Sequence, residues 1–187
     1  MATKLQRLMD RRPDASLSRG LKDESYPKFY PHVTLASLSL LENPDAGETI
    51  RRVVMGGLLE SQEVAFRSVD SGIHHFRSVF VRAELTEELK VLHARVHEGL
   101  GIKPKTPEFP HMSLCYIADE DAEHGERQRF HDMMKNLSMI DDITGEFALD
   151  CGEQDWVSGF RAVEMWVVDC SGATADWQVL HKIQLSA

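Results

Sequence analysis

A five-residue pattern occurs twice in this chain, and it constrains the fold more than any other feature. The first copy is Pro31-His32-Val33-Thr34-Leu35 and the second is Pro110-His111-Met112-Ser113-Leu114, 79 residues later. Both read proline, histidine, an apolar residue, a hydroxyl residue and leucine. With this composition, chance predicts roughly 0.002 such patterns in the whole chain. The repetition therefore indicates internal duplication.

The elements predicted around the two motifs also repeat in order. Each half is predicted to contain, in this order, a helix, an extended segment with proline and phenylalanine, a strand, a second helix and two more strands. Proline disfavours helix at its own position and at the residue before it, so 27–31 and 107–110 are predicted to be extended. The repeats cover roughly 14–84 and 86–170. We expect one bilobal α+β domain over residues 1–187.

Hydrophobic periodicity and turn signals give the bounds of these elements. Helices are predicted over 14–24, 43–60, 86–101 and 121–137. Strands are predicted over 33–41, 62–70, 75–84, 112–117, 143–151 and 161–170.

The composition is that of an ordinary soluble globular protein, with 42% apolar and 27% charged residues. No run approaches the ~18 apolar residues of a membrane helix, and the basic N-terminus precedes no apolar run typical of a secretory signal. A net charge of −9 argues against a protein that coats long nucleic acid. We expect a cytoplasmic monomer that binds neither a membrane nor long nucleic acid.

The cysteines and two other histidines carry weaker signals. Cys115, Cys151 and Cys170 form no disulfide framework and contain no C-x-x-C spacing, which fits a reducing compartment. Cys115 has no evident basic neighbour to activate it, so we expect a small packing residue. His93 and His97 stand four apart on a predicted helix, but the glutamate of a zincin is absent between them, which favours a solvated helix face.

Strand geometry gives the two motifs a chemical meaning. Side chains two residues apart on a strand point to the same face, so His32 pairs with Thr34 and His111 pairs with Ser113. If the two halves pack about a pseudo-twofold axis, the two imidazole–hydroxyl pairs face each other across a cleft.

Two imidazoles and two hydroxyls suit attack by water at phosphorus. A histidine titrates near neutrality, so one neutral imidazole can take a proton from water while a protonated one gives a proton to the departing oxygen. The hydroxyls can donate hydrogen bonds to the phosphoryl oxygens, where negative charge accumulates. This chemistry requires no metal and no cofactor, and we expect neither.

The paired H-x-T and H-x-S motifs resemble those of the two-histidine phosphoesterase superfamily. Their context, their spacing and the chain length most resemble the fungal and plant cyclic phosphodiesterases. The resemblance implies a bilobal α+β fold, with two pseudo-symmetric antiparallel sheets around a central cleft and helices outside. It implies hydrolysis of 2′,3′-cyclic nucleotides to nucleoside 2′-phosphates. It also implies opening of ADP-ribose 1″,2″-cyclic phosphate, a by-product of tRNA splicing, to ADP-ribose 1″-phosphate.

The resemblance also implies roles for individual residues. His32 and His111 correspond to the acid/base pair, and Thr34 and Ser113 to the hydroxyls that bind the phosphate. Tyr116 matches a tyrosine that flanks the base in plant-like members. Strict alternation points Tyr116 away from the cleft unless the strand bends or ends there. The family's N-terminal aromatic has no counterpart among residues 4–8, which predicts weak base preference.

Two other functions fit the same residues. One is a related enzyme that opens or trims a cyclic phosphate at an RNA end, although the net acidic charge disfavours long RNA. The other is a non-catalytic module that binds a nucleotide in the same cleft. Intact histidines and hydroxyls in both motifs favour catalysis over the binding module. The sequence leaves open which histidine is the acid and which is the base.

Overall fold

Helices and antiparallel sheets make up the computed structural model, which describes residues 1–14, 16, 20–39, 44–56, 59–105, 109–141 and 143–186. The predicted α+β class is therefore confirmed. None of the helices in these ranges has the length and apolar character needed to cross a membrane.

The elements follow the chain in this order. The helices are α1 Ala2–Met9, α2 Ala46–Gly56, α3 Glu87–Leu100, α4 Asp119–Glu123 and α5 Glu126–Asn136. The strands are β1 Gln62–His74, β2 Arg77–Ala83, β3 His111–Cys115, β4 Ser138–Ile140, β5 Phe147–Asp150, β6 Trp156–Val157, β7 Gly159–Ala162, β8 Glu164–Asp169 and β9 Gln178–Gln184. The sheets have the strand orders β3-β2-β1-β7, β4-β5-β6 and β8-β9.

Two hydrophobic cores divide the molecule into lobes, and each lobe takes elements from both halves of the sequence. The first core lies against β1, β2 and β3 and is covered by α1 and α5. The second core lies between α2, α3 and the β8-β9 sheet. The strand that carries the second motif therefore completes the sheet of the first half, while helices of the first half cover strands of the second.

Helix α3 shows how closely local signals can define an element. The Thr86 hydroxyl accepts a hydrogen bond from the Leu89 amide at 3.2 Å, as an N-cap residue should. Gly101 ends the helix with a φ of 65°, a left-handed conformation that glycine adopts without a Cβ penalty. Both ends agree with the predicted helix.

Other predicted elements are shorter or absent. The described part of 14–24 holds turns and bends and no helix, and Gly20 has a φ of 69°. The single helix predicted over 121–137 is two helices, because Gly125 adopts a φ of 82° between them. Helix α1 and strand β9 were not predicted.

The strand predicted over 33–41 is wrong within the described residues. This part of the segment contains no strand, and Val33 forms an isolated antiparallel bridge with Met112. Strand β3 begins at His111, which is opposite Thr34 in this register. The residues after Thr34 therefore have no residue of β3 beside them. Residues 40–41 lie outside the described ranges.

A buried carboxylate ties the segment before the first motif to α4. Asp121 is 4% exposed and accepts hydrogen bonds from the Lys22 amide and the Ser25 hydroxyl. The Ser25 hydroxyl in turn accepts the Ala118 amide at 2.9 Å. This network replaces the hydrogen bonds that a helix would have given the segment.

We expect Asp121→Ala to lower the free energy of unfolding by about 2 kcal/mol, because two donors lose a buried acceptor. Asp119→Ala is the matched control on the same helix. Its side chain is 72% exposed, so we expect less than about 1 kcal/mol. Urea denaturation measures both variants, and equal losses would contradict a structural role for the network.

Candidate active site

The two motifs lie side by side and run antiparallel. The bridge between Val33 and Met112 joins the middle residue of one motif to the middle residue of the other. In an antiparallel pair the neighbouring positions face each other, so His32 is opposite Ser113 and Thr34 is opposite His111. Each histidine is thus paired across the bridge with the hydroxyl of the other motif.

The opposite face of the bridge explains which way these side chains point. Val33 and Met112 pack into the first core, and Met112 is completely buried. Because side chains alternate along extended backbone, the motif residues on either side of them project from the other face. We name this set of His32, Thr34, His111 and Ser113 the motif cluster. The structure brings all four predicted residues together at the junction of the two lobes.

His32 is held in one tautomer by the backbone. Its Nδ1 lies 2.6 Å from the Tyr30 carbonyl oxygen, which can only accept a hydrogen bond, so Nδ1 carries the proton. The lone pair therefore sits on Nε2. Burial lowers the pKa of His32 below its ordinary value, and the hydrogen bond to Tyr30 opposes part of that shift. The bond to Tyr30 leaves the Nε2 lone pair available to accept a proton, and burial favours the neutral imidazole.

His111 rests on an aromatic ring at the edge of the first lobe. The Phe80 ring, 1% exposed, meets the imidazole edge to face with centroids 5.1 Å apart. In the β2-β3 ladder His111 is opposite Arg82, and Ser113 is opposite Phe80. The face that carries the motif cluster thus continues onto β2.

Ser113 joins the motif cluster to a group of aromatic residues. Its hydroxyl lies 3.3 Å from the Phe76 carbonyl oxygen and also forms a side-chain hydrogen bond with Tyr116. Burial raises the pKa of Tyr116, and the hydrogen bond with Ser113 lowers it in part. The phenol therefore stays neutral near pH 7.

A bulge in β3 brings Tyr116 to the face of the sheet that carries the motif cluster. In the ladder with β2, Phe80 pairs with Ser113 and Val79 with Cys115, so Leu114 is an extra residue. Leu114 and Cys115 both enter the first core, and the alternation shifts by one position. This bend is the exception under which Tyr116 was expected to face the cleft. Cys115 is a buried packing residue, as predicted, and burial raises its pKa.

The Tyr116 ring is covered by other side chains. It is 3% exposed and stacks on Phe29, with centroids 4.1 Å apart and an interplanar angle of 8°. Phe29 also meets the His32 ring edge to face at 5.9 Å, so it contacts both the first motif and the tyrosine that follows the second. Phe76, which is 56% exposed, contacts Tyr116 edge to face at 5.4 Å. A ligand entering here meets Phe76 before Tyr116.

The sequence did not indicate several residues of this face. Arg82 follows Phe80 by two positions on β2, so alternation places it on the same face, but only the strand register shows that it lies opposite His111. The same register adds Asp70 and Ser68 from β1. The sequence placed Phe29 in the extended segment 27–31 but did not predict its contacts with His32 and Tyr116.

The second histidine pair does not form the solvated face that was predicted. His97 is 3% exposed, and its Nδ1 lies 2.8 Å from the His93 carbonyl oxygen. The His93 ring lies between those of His97 and Phe109, with centroids 4.1 and 4.2 Å away. Across the described part of the chain, no group of three or more His, Cys, Asp or Glu side chains could hold a metal ion.

Comparison with known proteins agrees with the resemblance of the motifs. The chain is similar to a protein of Arabidopsis thaliana named cyclic phosphodiesterase, with 24% identity over 106 residues. The matched region covers 56% of this chain and spans 58% of the length of that relative. A family model described as cyclic phosphodiesterase-like protein matches residues 1–185. The chain therefore belongs to the cyclic phosphodiesterase-like family.

Proposed function

We propose that this protein hydrolyses cyclic phosphate esters by paired histidine acid/base catalysis. Its substrates are 2′,3′-cyclic nucleotides, which give nucleoside 2′-phosphates, and ADP-ribose 1″,2″-cyclic phosphate, which gives ADP-ribose 1″-phosphate. The observation that carries the proposal is the Val33–Met112 bridge, which gathers the motif cluster on one face. Membership of the cyclic phosphodiesterase-like family supports the reaction type.

His32 is the general base in this mechanism. Its Nδ1–H bond to Tyr30 leaves the Nε2 lone pair available to take a proton from water. The water oxygen forms a bond to phosphorus as its proton passes to Nε2. The lowered pKa keeps His32 in the neutral form that this step requires.

His111 is the general acid. As the bond between phosphorus and the 3′ oxygen breaks, the imidazolium of His111 gives its proton to that oxygen, and the product is a 2′-phosphate. Thr34 and Ser113 donate hydrogen bonds to the non-bridging oxygens as charge accumulates there. Each hydroxyl lies opposite a histidine across the bridge, so acid, base and donors can surround one phosphorus.

We expect kcat/KM to fall on the acidic side as His32 becomes protonated. Because burial lowers the pKa of His32, this acidic limb should lie below pH 6.5, the ordinary histidine value. The alkaline limb belongs to loss of the proton from His111. Initial rates over a pH series on the free enzyme measure both limbs. An acidic limb at or above pH 6.5 would contradict the assignment of His32 as the base.

Phosphorus NMR on a 2′,3′-cyclic mononucleotide tests the function itself. We expect conversion to the 2′-phosphate alone, at a rate unchanged by EDTA. An oligonucleotide ending in the same cyclic phosphate is the comparison, and faster hydrolysis of that substrate would favour an RNA-end enzyme. If a 2′-nucleotide binds while its cyclic precursor stays intact, the protein is a binding module and the proposed function is wrong.

A further inference from the structure

A tyrosine with a left-handed backbone conformation lies six residues before His32. Tyr26 has a φ of 59°, a value that residues with a Cβ adopt at a cost in free energy and that glycine adopts without one. The amide of Tyr26 donates a 2.7 Å hydrogen bond to the carbonyl oxygen of Tyr116, the residue that follows β3. The backbone before the first motif is thus attached directly to the backbone after the second.

The side chain of Tyr26 is held on several sides, which offsets the cost of its backbone conformation. Its hydroxyl donates a 2.6 Å hydrogen bond to Oε1 of Glu126, a carboxylate with 0% exposure. The other oxygen of that carboxylate accepts N–H bonds of 2.8 and 3.1 Å from Arg129. The guanidinium carbon of Arg12 lies 4.4 Å from the centroid of the Tyr26 ring, and the Phe130 ring lies 5.6 Å away. A strained conformation persists only where its surroundings over-determine it, and these contacts do so.

The chain from Tyr26 to His32 has little conformational freedom of its own. It contains two prolines, each of which fixes φ at its own position. Between them, the Phe29 ring stacks on Tyr116 and also contacts the imidazole of His32. Just after His32, the bridge joins the two motifs. A displacement of Tyr26 is therefore transmitted along this segment to His32.

We propose that Tyr26 is a positioning residue for the reaction: through its bond to Glu126 it fixes segment 26–32 against the second motif and so places the His32 imidazole. This inference rests on the proposed function. A general base must lie within hydrogen-bond distance of the proton it takes, and a misplacement of about 1 Å can cost on the order of 10²-fold in rate. The same attachment keeps His32 packed against Phe29, and burial is what lowers the pKa of His32. Loosening the segment should hydrate the imidazole and raise its pKa towards the ordinary value.

The test measures kcat and the pKa of the His32 imidazole in Tyr26→Phe, with NMR resonances assigned from the His32→Ala spectrum. This variant keeps the ring and deletes only the hydroxyl that bonds Glu126. We expect the pKa of His32 to rise, the acidic limb of kcat/KM to move up with it, and kcat to fall by about 10-fold while KM changes little. Tyr26→Gly suits the left-handed φ but lacks the side-chain contacts, so it should give larger changes in the same direction.

Thr86→Ala is the control for a general loss of stability. It removes the N-cap of α3, a helix of the second core, and leaves segment 26–32 intact. Urea denaturation compares the stability that each variant loses. We expect the pKa of His32 and kcat in Thr86→Ala to match those of the wild-type protein. Equal changes in Thr86→Ala and Tyr26→Phe would refute a positioning role for Tyr26.

The outcomes separate this inference from the proposed function. A Tyr26→Phe variant that loses stability but keeps the wild-type pKa of His32 and the wild-type kcat would overturn the inference while the proposed function stands. If the wild-type protein hydrolyses no cyclic nucleotide, the proposed function falls, and the NMR titration still decides whether Tyr26 places His32. A raised pKa in Tyr26→Phe then supports that placement, and an unchanged pKa refutes it.

Discussion

Replacing His32 or His111 by alanine is expected to lower kcat on a 2′,3′-cyclic nucleotide by about 10²- to 10⁴-fold, the usual share of one general acid or base. The two losses have different origins. His32→Ala removes the acceptor for the proton of water, and His111→Ala removes the donor to the 3′ oxygen. Because the two groups act in one transition state, we expect the double variant to cost much less than the product of the single effects.

The control for the histidine variants is His124→Ala, at an exposed histidine outside the motif cluster. Circular dichroism and thermal unfolding should show that each variant remains folded. His32→Ala also loses the hydrogen bond to Tyr30 and the contact with Phe29, so some loss of stability is expected there. Full activity in either folded variant would rule out that histidine as the acid or the base.

Removing either hydroxyl of the motif cluster is expected to cost about 10²- to 10³-fold in kcat, the typical effect of one donor to a developing oxyanion. The variants are Thr34→Val, which keeps the shape of the side chain, and Ser113→Ala. Charge on the non-bridging oxygens grows towards the transition state, so kcat should fall more than KM rises. Steady-state kinetics on a cyclic mononucleotide measures the two effects separately.

Ser113 has a structural partner, so its variant needs a control of its own. Tyr116→Phe removes the hydrogen bond between the side chains of Tyr116 and Ser113 by deleting the phenol hydroxyl. The Ser113 hydroxyl is kept. We expect Tyr116→Phe to retain most of the activity. If it matches the loss in Ser113→Ala, then Ser113 acts by holding Tyr116 in place. Thr34→Ser should rescue Thr34→Val, because it restores the donor alone.

The sequence predicted the motif cluster because its signal is local and duplicated. Proline, histidine and a hydroxyl at fixed spacing need only the alternation of extended backbone to bring His32 and Thr34 to one face. The ends of α3 were equally predictable from the sequence, because Thr86 and Gly101 cap the helix through contacts with residues close to them in the chain. Membership of the cyclic phosphodiesterase-like family is confirmed by a match over nearly the whole chain.

Features that depend on strand register could not be read from the sequence. The bulge at Leu114 exists only in the pairing of β3 with β2, and it reverses the face that Tyr116 presents. The exchange of elements between the lobes was not predicted for the same reason. Hydrophobic periodicity shows that a strand exists but not which strand it pairs with. The position of Arg82 and Asp70 on the same face as His111 follows from that register alone.

A crystal structure with a nucleoside 2′-phosphate bound tests the central claim most directly. We expect one phosphate group within hydrogen-bond distance of His32 Nε2, the His111 imidazole and the hydroxyls of Thr34 and Ser113. A phosphate held by one motif alone, or bound elsewhere on the molecule, would contradict it.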